Sequence, residues 1–317
     1  MKKVFITGIA GFIGFHTALK YHENGWSVCG ADNFNDYYDP SLKENRKDLL
    51  IDKGIQVVRM DIRSDDLSAL VKKMQPDLVI HLAAAAGVRV SLAQPTYYID
   101  NNIRGTQCLI EACEEAGVEN VIYASTSCVM EGNPLPWNEV DNPGRQLSPY
   151  GYTKLTNENQ FHVSKIKNAV CIRFFTVYGP YGRPDMALFT FTKNILNDDP
   201  IIVYNNGDMK RDFTYVDDIV QGVWLVSQNM TNRDLYCLGN DTQVNLMDFI
   251  HEIEKNLGKT AEKDFQPRHP VDALETWSDT TKIEKLGYKS ATPVAVGVKN
   301  FVQWYRNYYG KNDTNIT

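Results

Sequence analysis

Tyr150 and Lys154 stand four residues apart in Ser148-Pro149-Tyr150-Gly151-Tyr152-Thr153-Lys154, a segment that continues in a helical pattern toward Lys165. A helix puts the two side chains on one face. A phenol has an ordinary pKa near ~10, too high for a base at neutral pH. A neighbouring ammonium favours the phenolate and lowers that value. Thr126 lies just beyond a predicted strand, 120–124, where its hydroxyl could bond the same substrate oxygen. Alone, a Tyr/Lys pair at this spacing is an ordinary solvated helix face. Such a set becomes chemical when the chain also holds a group that accepts what is left after the proton goes.

The beginning of the chain supplies the element for that group. Val4-Phe5-Ile6 is a short apolar run that breaks into Thr7-Gly8-Ile9-Ala10-Gly11-Phe12-Ile13-Gly14, then recovers a helical period through Phe15, Ala18 and Leu19. Strand, glycine turn and helix in this order suit a dinucleotide. Gly8 takes the turn, Gly11 leaves the backbone open to a pyrophosphate, and Gly14 lets helix and strand pack closely. The helix N-terminus, with Phe12 and Ile13, offers free N–H groups to the phosphates. The next strand, 27–31, ends in Asp32, followed by Asn33. A carboxylate there accepts bonds from a free ribose 2′-hydroxyl and repels a 2′-phosphate, so the expected cofactor is NAD rather than NADP.

Further along, a third strand at 56–60 ends in Asp61-Ile62, within reach of an adenine. The strand 78–82 runs out through Leu82 into Ala83-Ala84-Ala85-Ala86-Gly87, small residues that admit a flat cofactor. His81 reads as a satisfied core histidine. Positions 91–116 carry one long helical pattern, and strands follow at 120–124 and 169–174. This alternation predicts an α/β fold, a doubly wound parallel sheet of the Rossmann kind. After Phe175 the rhythm changes to short, turn-rich segments and three helices, 188–196, 246–257 and 294–309, with one more at 216–229. The expected division is a dinucleotide-binding domain, 1–174 plus about 216–240, and a smaller, irregular substrate-binding region, 175–215 and 241–317. The polar tail from Lys311 is expected to fray.

The 317 residues allow a sizeable core, and the composition is that of a globular protein: 43% hydrophobic, 23% charged. A net charge of −6 argues against a general nucleic-acid binder and requires local cations for any anionic substrate. The six cysteines (29, 108, 113, 128, 171, 237) form no CxxC pair or ligand cluster, so no metal is expected, and they read as reduced thiols of a cytoplasmic protein. No uninterrupted apolar stretch would span a bilayer, and the apolar run after Lys3 is too broken for a signal peptide.

Five segments give the chain a resemblance. They are Asn35-Asp36-Tyr37-Tyr38-Asp39, Ala86-Gly87-Val88-Arg89, Arg173-Phe174-Phe175-Thr176-Val177-Tyr178-Gly179-Pro180, Gly182-Arg183-Pro184-Asp185-Met186-Ala187-Leu188-Phe189, and Gly207-Asp208-Met209-Lys210-Arg211-Asp212-Phe213-Thr214-Tyr215. With the glycine turn and the Thr126, Tyr150 and Lys154 set, the chain resembles the extended short-chain dehydrogenase/reductases, and within them the UDP-glucuronate 4-epimerases. That resemblance implies a reversible oxidation at the sugar C4. Tyr150 takes the proton of the 4-hydroxyl, Thr126 bonds the 4-oxygen, and Lys154 holds the nicotinamide ribose. The 4-keto sugar turns over in the site and is reduced on its other face, giving UDP-galacturonate from UDP-glucuronate.

The same resemblance implies that Asn102 orders the cofactor side of the pocket. Arg211 and Arg183 face the nucleotide diphosphate, His269 stands in the nucleotide loop, Arg89, Ser127 and Thr176 surround the sugar C6, and Cys128 lines the substrate pocket. Thr176 stands where many relatives acting on neutral sugars carry Asn, leaving room for a carboxylate whose partner is expected to be Arg89. The helices at 91–116 and 149–165 pair across a homodimer in such relatives.

The chain departs from the family pattern at Cys128, at Val129-Met130-Glu131-Gly132 and at Arg268-His269-Pro270-Val271-Asp272. Cys128 raises a 3,5-epimerase of the GDP-sugar type as an alternative, but the second proton carrier such enzymes need is replaced by Tyr181-Gly182-Arg183. A 4,6-dehydratase would want Asp-Glu after Thr126. A decarboxylase shares the 4-keto uronate, and a 4-epimerase of a neutral UDP-sugar stays open. A non-catalytic NAD-binding sensor is the alternative from another class, opposed by the intact Thr126, Tyr150 and Lys154 set.

Overall fold

A computed structural model describes residues 1–310 of the chain. The expectation of a frayed tail from Lys311 falls outside them. Six strands alternate with helices through the first part: β1 (Lys3–Thr7), β2 (Ser27–Asp32), β3 (Gln56–Arg59), β4 (Leu78–His81), β5 (Asn120–Thr126) and β6 (Asn168–Phe174). A seventh strand, Arg233–Leu238, adds beside β6. The sheet is parallel throughout, in the order β3-β2-β1-β4-β5-β6 and then Arg233–Leu238. The order reverses between β1 and β4, so the ends of these strands open into a crevice where a ligand fits.

Both faces of this sheet are covered, and the period of two along β1 shows it. Val4 and Ile6 join the cluster built with Phe15, Tyr21 and Val223 from helices Phe12–Glu23 and Val216–Gln228. Phe5 between them joins Leu67, Val71, Leu109 and Phe161 on the opposite face. A strand buried on both sides reads as a continuous apolar run, as β1 does. A separate aromatic cluster forms around helices Ala187–Leu196, Leu246–Leu257 and Val294–Tyr309, where the Phe213 and Phe249 rings stack at 3.9 Å.

One predicted element differs. Positions 91–116 form two short helices, Val88–Ala93 and Pro95–Tyr98, then a π-helical segment, Ile99–Arg104, then helix Gly105–Ala116. Pro95 is the reason for the first break. Its ring disfavours a helical residue before it, and Gln94 sits at φ −133°, ψ 49°. The π-helical segment carries Asn101 and Asn102, both buried. No helix among the described residues is long and apolar enough to cross a membrane.

Candidate active site

The crevice at the strand ends is a single open cleft. At one end lies the glycine turn. Gly8 has φ +72°, and a Cβ there would come within 2.8 Å of the Ala83 amide nitrogen at the end of β4. A Cβ on Gly14 would lie 2.1 Å from the Gly8 carbonyl, so helix Phe12–Glu23 meets the turn only because that position is glycine. No side chain caps this helix at Gly11, which leaves its first N–H groups to a ligand.

Asp32, at the end of β2, is nine-tenths buried and lines the cleft. Its two oxygens accept the amides of Phe34 at 2.9 Å and Ala10 at 3.1 Å. Burial pushes its carboxyl up, opposed by the Phe34 amide and the Lys43 ammonium. Asp61 is held well below the usual carboxylate range, chiefly by bonds from Arg63, with Asn33 donating to it at 2.9 Å. Ile62, Leu82, Ala83 and Ala84 continue the wall. These residues fit NAD: a backbone cradle that a Cβ would fill, a helix N-terminus, and a carboxylate fixed at the ribose position.

Asn102 stands behind the wall rather than on it. Its side chain accepts the Ala85 amide at 2.7 Å and donates to the Ala85 carbonyl at 3.0 Å and to Thr153 Oγ1 at 2.9 Å. It fastens the strand end to the helix Pro149–Val163, which carries Tyr150 and Lys154. The wall residue from the π-helical segment is its neighbour Asn101. His81 is the core histidine expected, bonded to Thr7 and Thr106 through its two ring nitrogens.

Thr126, Tyr150 and Lys154 all line the far end of the cleft. The expected lowering of the phenol by Lys154 is corrected here. Burial pushes Tyr150 up to about 12, Cys128 adds to this, and Arg183 and the Thr126 hydroxyl oppose it. Burial pulls the Lys154 ammonium down to about 8. A dry pocket disfavours both charged forms at once. Tyr98 meets Tyr150 edge-on at 6.4 Å.

The residues expected around the sugar separate into three places. Ser127 and Cys128 follow Thr126 in a short turn, and the Cys128 amide donates to Thr126 Oγ1 at 3.3 Å. Thr176 and Arg183 line a second, apolar recess with Phe189, Phe213 and Phe301, and Arg183 also lines the main cleft. Arg89, expected at the sugar carboxylate, has its guanidinium bound by both oxygens of Asp272 and stacked 3.9 Å over the Tyr204 ring. Arg211 donates to the Lys210, Ala273 and Leu274 carbonyls, bracing the same segment. His269 lies in that segment, and its Nδ1 faces the Val271 amide at 3.5 Å. Met130, in the segment that departs from the family pattern, is buried with Val129, Trp137 and Phe175.

Residues 4–239 match the family described as NAD dependent epimerase/dehydratase. The chain belongs to this family. Protein CapI of Staphylococcus aureus is 41% identical, over 98% of this chain and 100% of that protein. UDP-glucuronate 4-epimerase 1 of Arabidopsis thaliana is 38% identical, over 98% of this chain and 78% of that protein. The crystal structure of UDP-glucuronic acid 4-epimerase from Bacillus cereus in complex with UDP-glucuronic acid and NAD superposes with a TM-score of 0.90. It is 35% identical and covers 97% of this chain and 100% of that one.

Within this family frame, sequence reasoning missed Asn35, Tyr37, Lys43 and Asn101 as wall residues. The signal for the first two was present, in a polar and aromatic loop directly after Asp32. Lys43 donates from its helix to the Asn35 carbonyl at 2.6 Å, a contact that no helical period announces.

Proposed function

We propose that this protein is an NAD-dependent UDP-glucuronate 4-epimerase, interconverting UDP-glucuronate and UDP-galacturonate through a transient 4-keto sugar. One observation carries the reading: Thr126, Tyr150 and Lys154 meet at the end of a dinucleotide cleft whose wall also bears a cation, Arg183, acting on the phenol.

Gly8, Gly11, Phe12, Ile13, Gly14, Asp32, Asn33, Asp61, Ile62, Leu82, Ala83 and Ala84 hold NAD, and Asn102 keeps the strand end in place behind them. When bound, NAD supplies a reversible hydride acceptor at the sugar C4. Tyr150 takes the proton of the 4-hydroxyl and gives it back to the epimer. Thr126 bonds the same oxygen and fixes its distance from the phenol. Lys154 donates to the nicotinamide ribose and contributes positive charge where the phenolate forms. The dry surroundings that raise the resting phenol make these cations more effective once charge develops.

For the uronate carboxylate we assign Arg183, with the Ser127 and Thr176 hydroxyls and the Cys128 side chain around the sugar C6. Arg183 donates to Asp185 through Nε and Nη2 and reaches the Tyr150 end of the cleft. Arg89, engaged by Asp272 and Tyr204, goes with Arg211 and His269 to the nucleotide end. Residues 1–174 with about 216–240 form the cofactor domain, and 175–215 with 241–317 the sugar-nucleotide domain. The protein is a homodimer pairing through 91–116 and 149–165, a reading supported by exposed Leu92, Ile99 and Val163 on those segments. Six free thiols support a cytoplasmic location.

Incubation with UDP-glucuronate in heavy water, followed by NMR, tests the reaction. The expected product is the 4-epimer without solvent deuterium on carbon. Deuterium at C5 or C3 would mean a 3,5-epimerase, and released carbon dioxide a decarboxylase.

A further inference from the structure

Helix Pro149–Val163 carries a third group on the face of Tyr150 and Lys154: Glu158, one turn beyond the lysine. Its side chain is 12% exposed, and both carboxylate oxygens are engaged. Oε1 accepts Ser125 Oγ at 2.5 Å and Arg173 Nε at 3.0 Å, and Oε2 accepts Arg173 Nη2 at 2.9 Å. Ser125 and Arg173 are direct partners across the β5–β6 pair, so one carboxylate staples helix to both strands. Ser125 immediately precedes Thr126 and itself lines the cleft. Arg173 is 3% exposed. An ion pair this deep is poor value as a source of stability alone, since apolar residues of the same volume would serve as well.

We propose that Glu158, clamped by Arg173 and Ser125, is a positioning residue for the reaction, holding the Lys154 ammonium charged and in line with Tyr150 and Thr126. The proposal rests on the epimerase reading and adds a residue to it. Lys154 interacts with Glu158 from its own helix, with Cys171 from β6 and with His81 from β4, while Tyr123 on β5 and Arg173 on β6 lie against Glu158 and Cys171. Burial pulls the lysine down, while Cys171 and Glu158 pull it back up. The Cys171 thiol is itself pushed far up by burial, and Tyr123 likewise, so neither is an anion at neutral pH. His81 is held neutral, down to about 3, by its burial. Glu158 is therefore the negative charge that keeps a dry lysine protonated. Arg173 holds that carboxylate in place from β6.

Glu158→Gln removes the charge and keeps the shape. Because it strands the Arg173 guanidinium, the double variant Glu158→Gln/Arg173→Met accompanies it, and Glu158→Asp draws the carboxylate back by one methylene. Two profiles are measured against pH: turnover of UDP-glucuronate, and NADH affinity by its fluorescence. Loss of the carboxylate is expected to move the alkaline limb of both down by about one pH unit, with Glu158→Asp in between. A role limited to packing lowers amplitude at every pH alike and leaves the limb in place. An unmoved NADH-binding limb in the single and double variants overturns the proposal. Absence of turnover in the parent protein would instead count against the epimerase reading, because the binding profile does not depend on it.

Discussion

Arg89 donates to both oxygens of Asp272, 183 residues away, and lies flat over Tyr204. The pair joins the segment after β4 to the loop before residue 273, which the proposed function gives to the nucleotide end. Arg89→Met is accordingly expected to weaken turnover of UDP-glucuronate and of UDP-glucose by similar factors. Arg183→Met is expected to discriminate. Stranding a buried carboxylate costs roughly 3–5 kcal/mol, on the order of a hundredfold to a few thousandfold in kcat/KM. That loss should fall on UDP-glucuronate, with UDP-glucose, which carries no such charge, affected much less. Measured kcat/KM values for both sugars check it, and a selective loss in Arg89→Met would return the carboxylate to Arg89.

Cys128 sits within reach of the phenol and the Thr126 hydroxyl, so its role needs a decision. Burial pushes the thiol up, with only partial opposition from Thr126, and Glu131 pushes the same way. A neutral thiol is a poor base, and the group reads as part of the pocket wall. Removal of a side chain that transfers a proton costs about a hundredfold to ten-thousandfold. Cys128→Ser should stay well short of that in kcat with UDP-glucuronate. A loss within that range would make the thiol an acid/base group and favour 3,5-epimerisation.

What the sequence made legible was local. The glycine turn, Asp32 and the Tyr150/Lys154 spacing each lie within one strand–turn or one helix, where backbone geometry alone fixes the relationship. The doubly wound parallel sheet followed from alternating strands and helices for the same reason, whereas its strand order did not. What escaped depended on distant partners. Arg89 reads as the partner of a substrate carboxylate, with nothing nearby in sequence to announce Asp272, and nothing local to Glu158 announces Ser125 and Arg173. The break at Gln94 was readable from Pro95 and was passed over, because the apolar period on either side continued through it.

Asp32 offers a direct binding test. Its oxygens are oriented by the Phe34 and Ala10 amides, which leaves lone pairs toward the cleft for ribose hydroxyls. The protein should bind NAD markedly more tightly than NADP in calorimetric titration. Asp32→Ala should narrow that gap, mostly by weakening NAD. Comparable affinities in the parent protein would remove Asp32 from the ribose.

His16 links the glycine helix to the loop that leads to Arg183, and its titration should be visible in stability. Its Nε2 bonds the Pro180 carbonyl at 2.9 Å, and burial holds the ring down to about 4, with Arg46 acting in the same direction. In the unfolded chain the ring titrates near its ordinary value of about 6.5. Between these two values the unfolded state binds a proton that the folded state refuses. Stability from this group is therefore complete above about pH 6.5 and declines as pH falls toward 4, by about 1.4 kcal/mol per pH unit. His16→Gln keeps a donor for Pro180 but cannot titrate. Urea unfolding at pH 7 and pH 5 should show the parent losing about 2 kcal/mol more than the variant over that interval. Carboxylates that also titrate there act on both proteins and cancel in the comparison. Equal losses would mean that the folded ring takes up its proton near pH 6.5, and that the bond to Pro180 does not depend on a neutral imidazole.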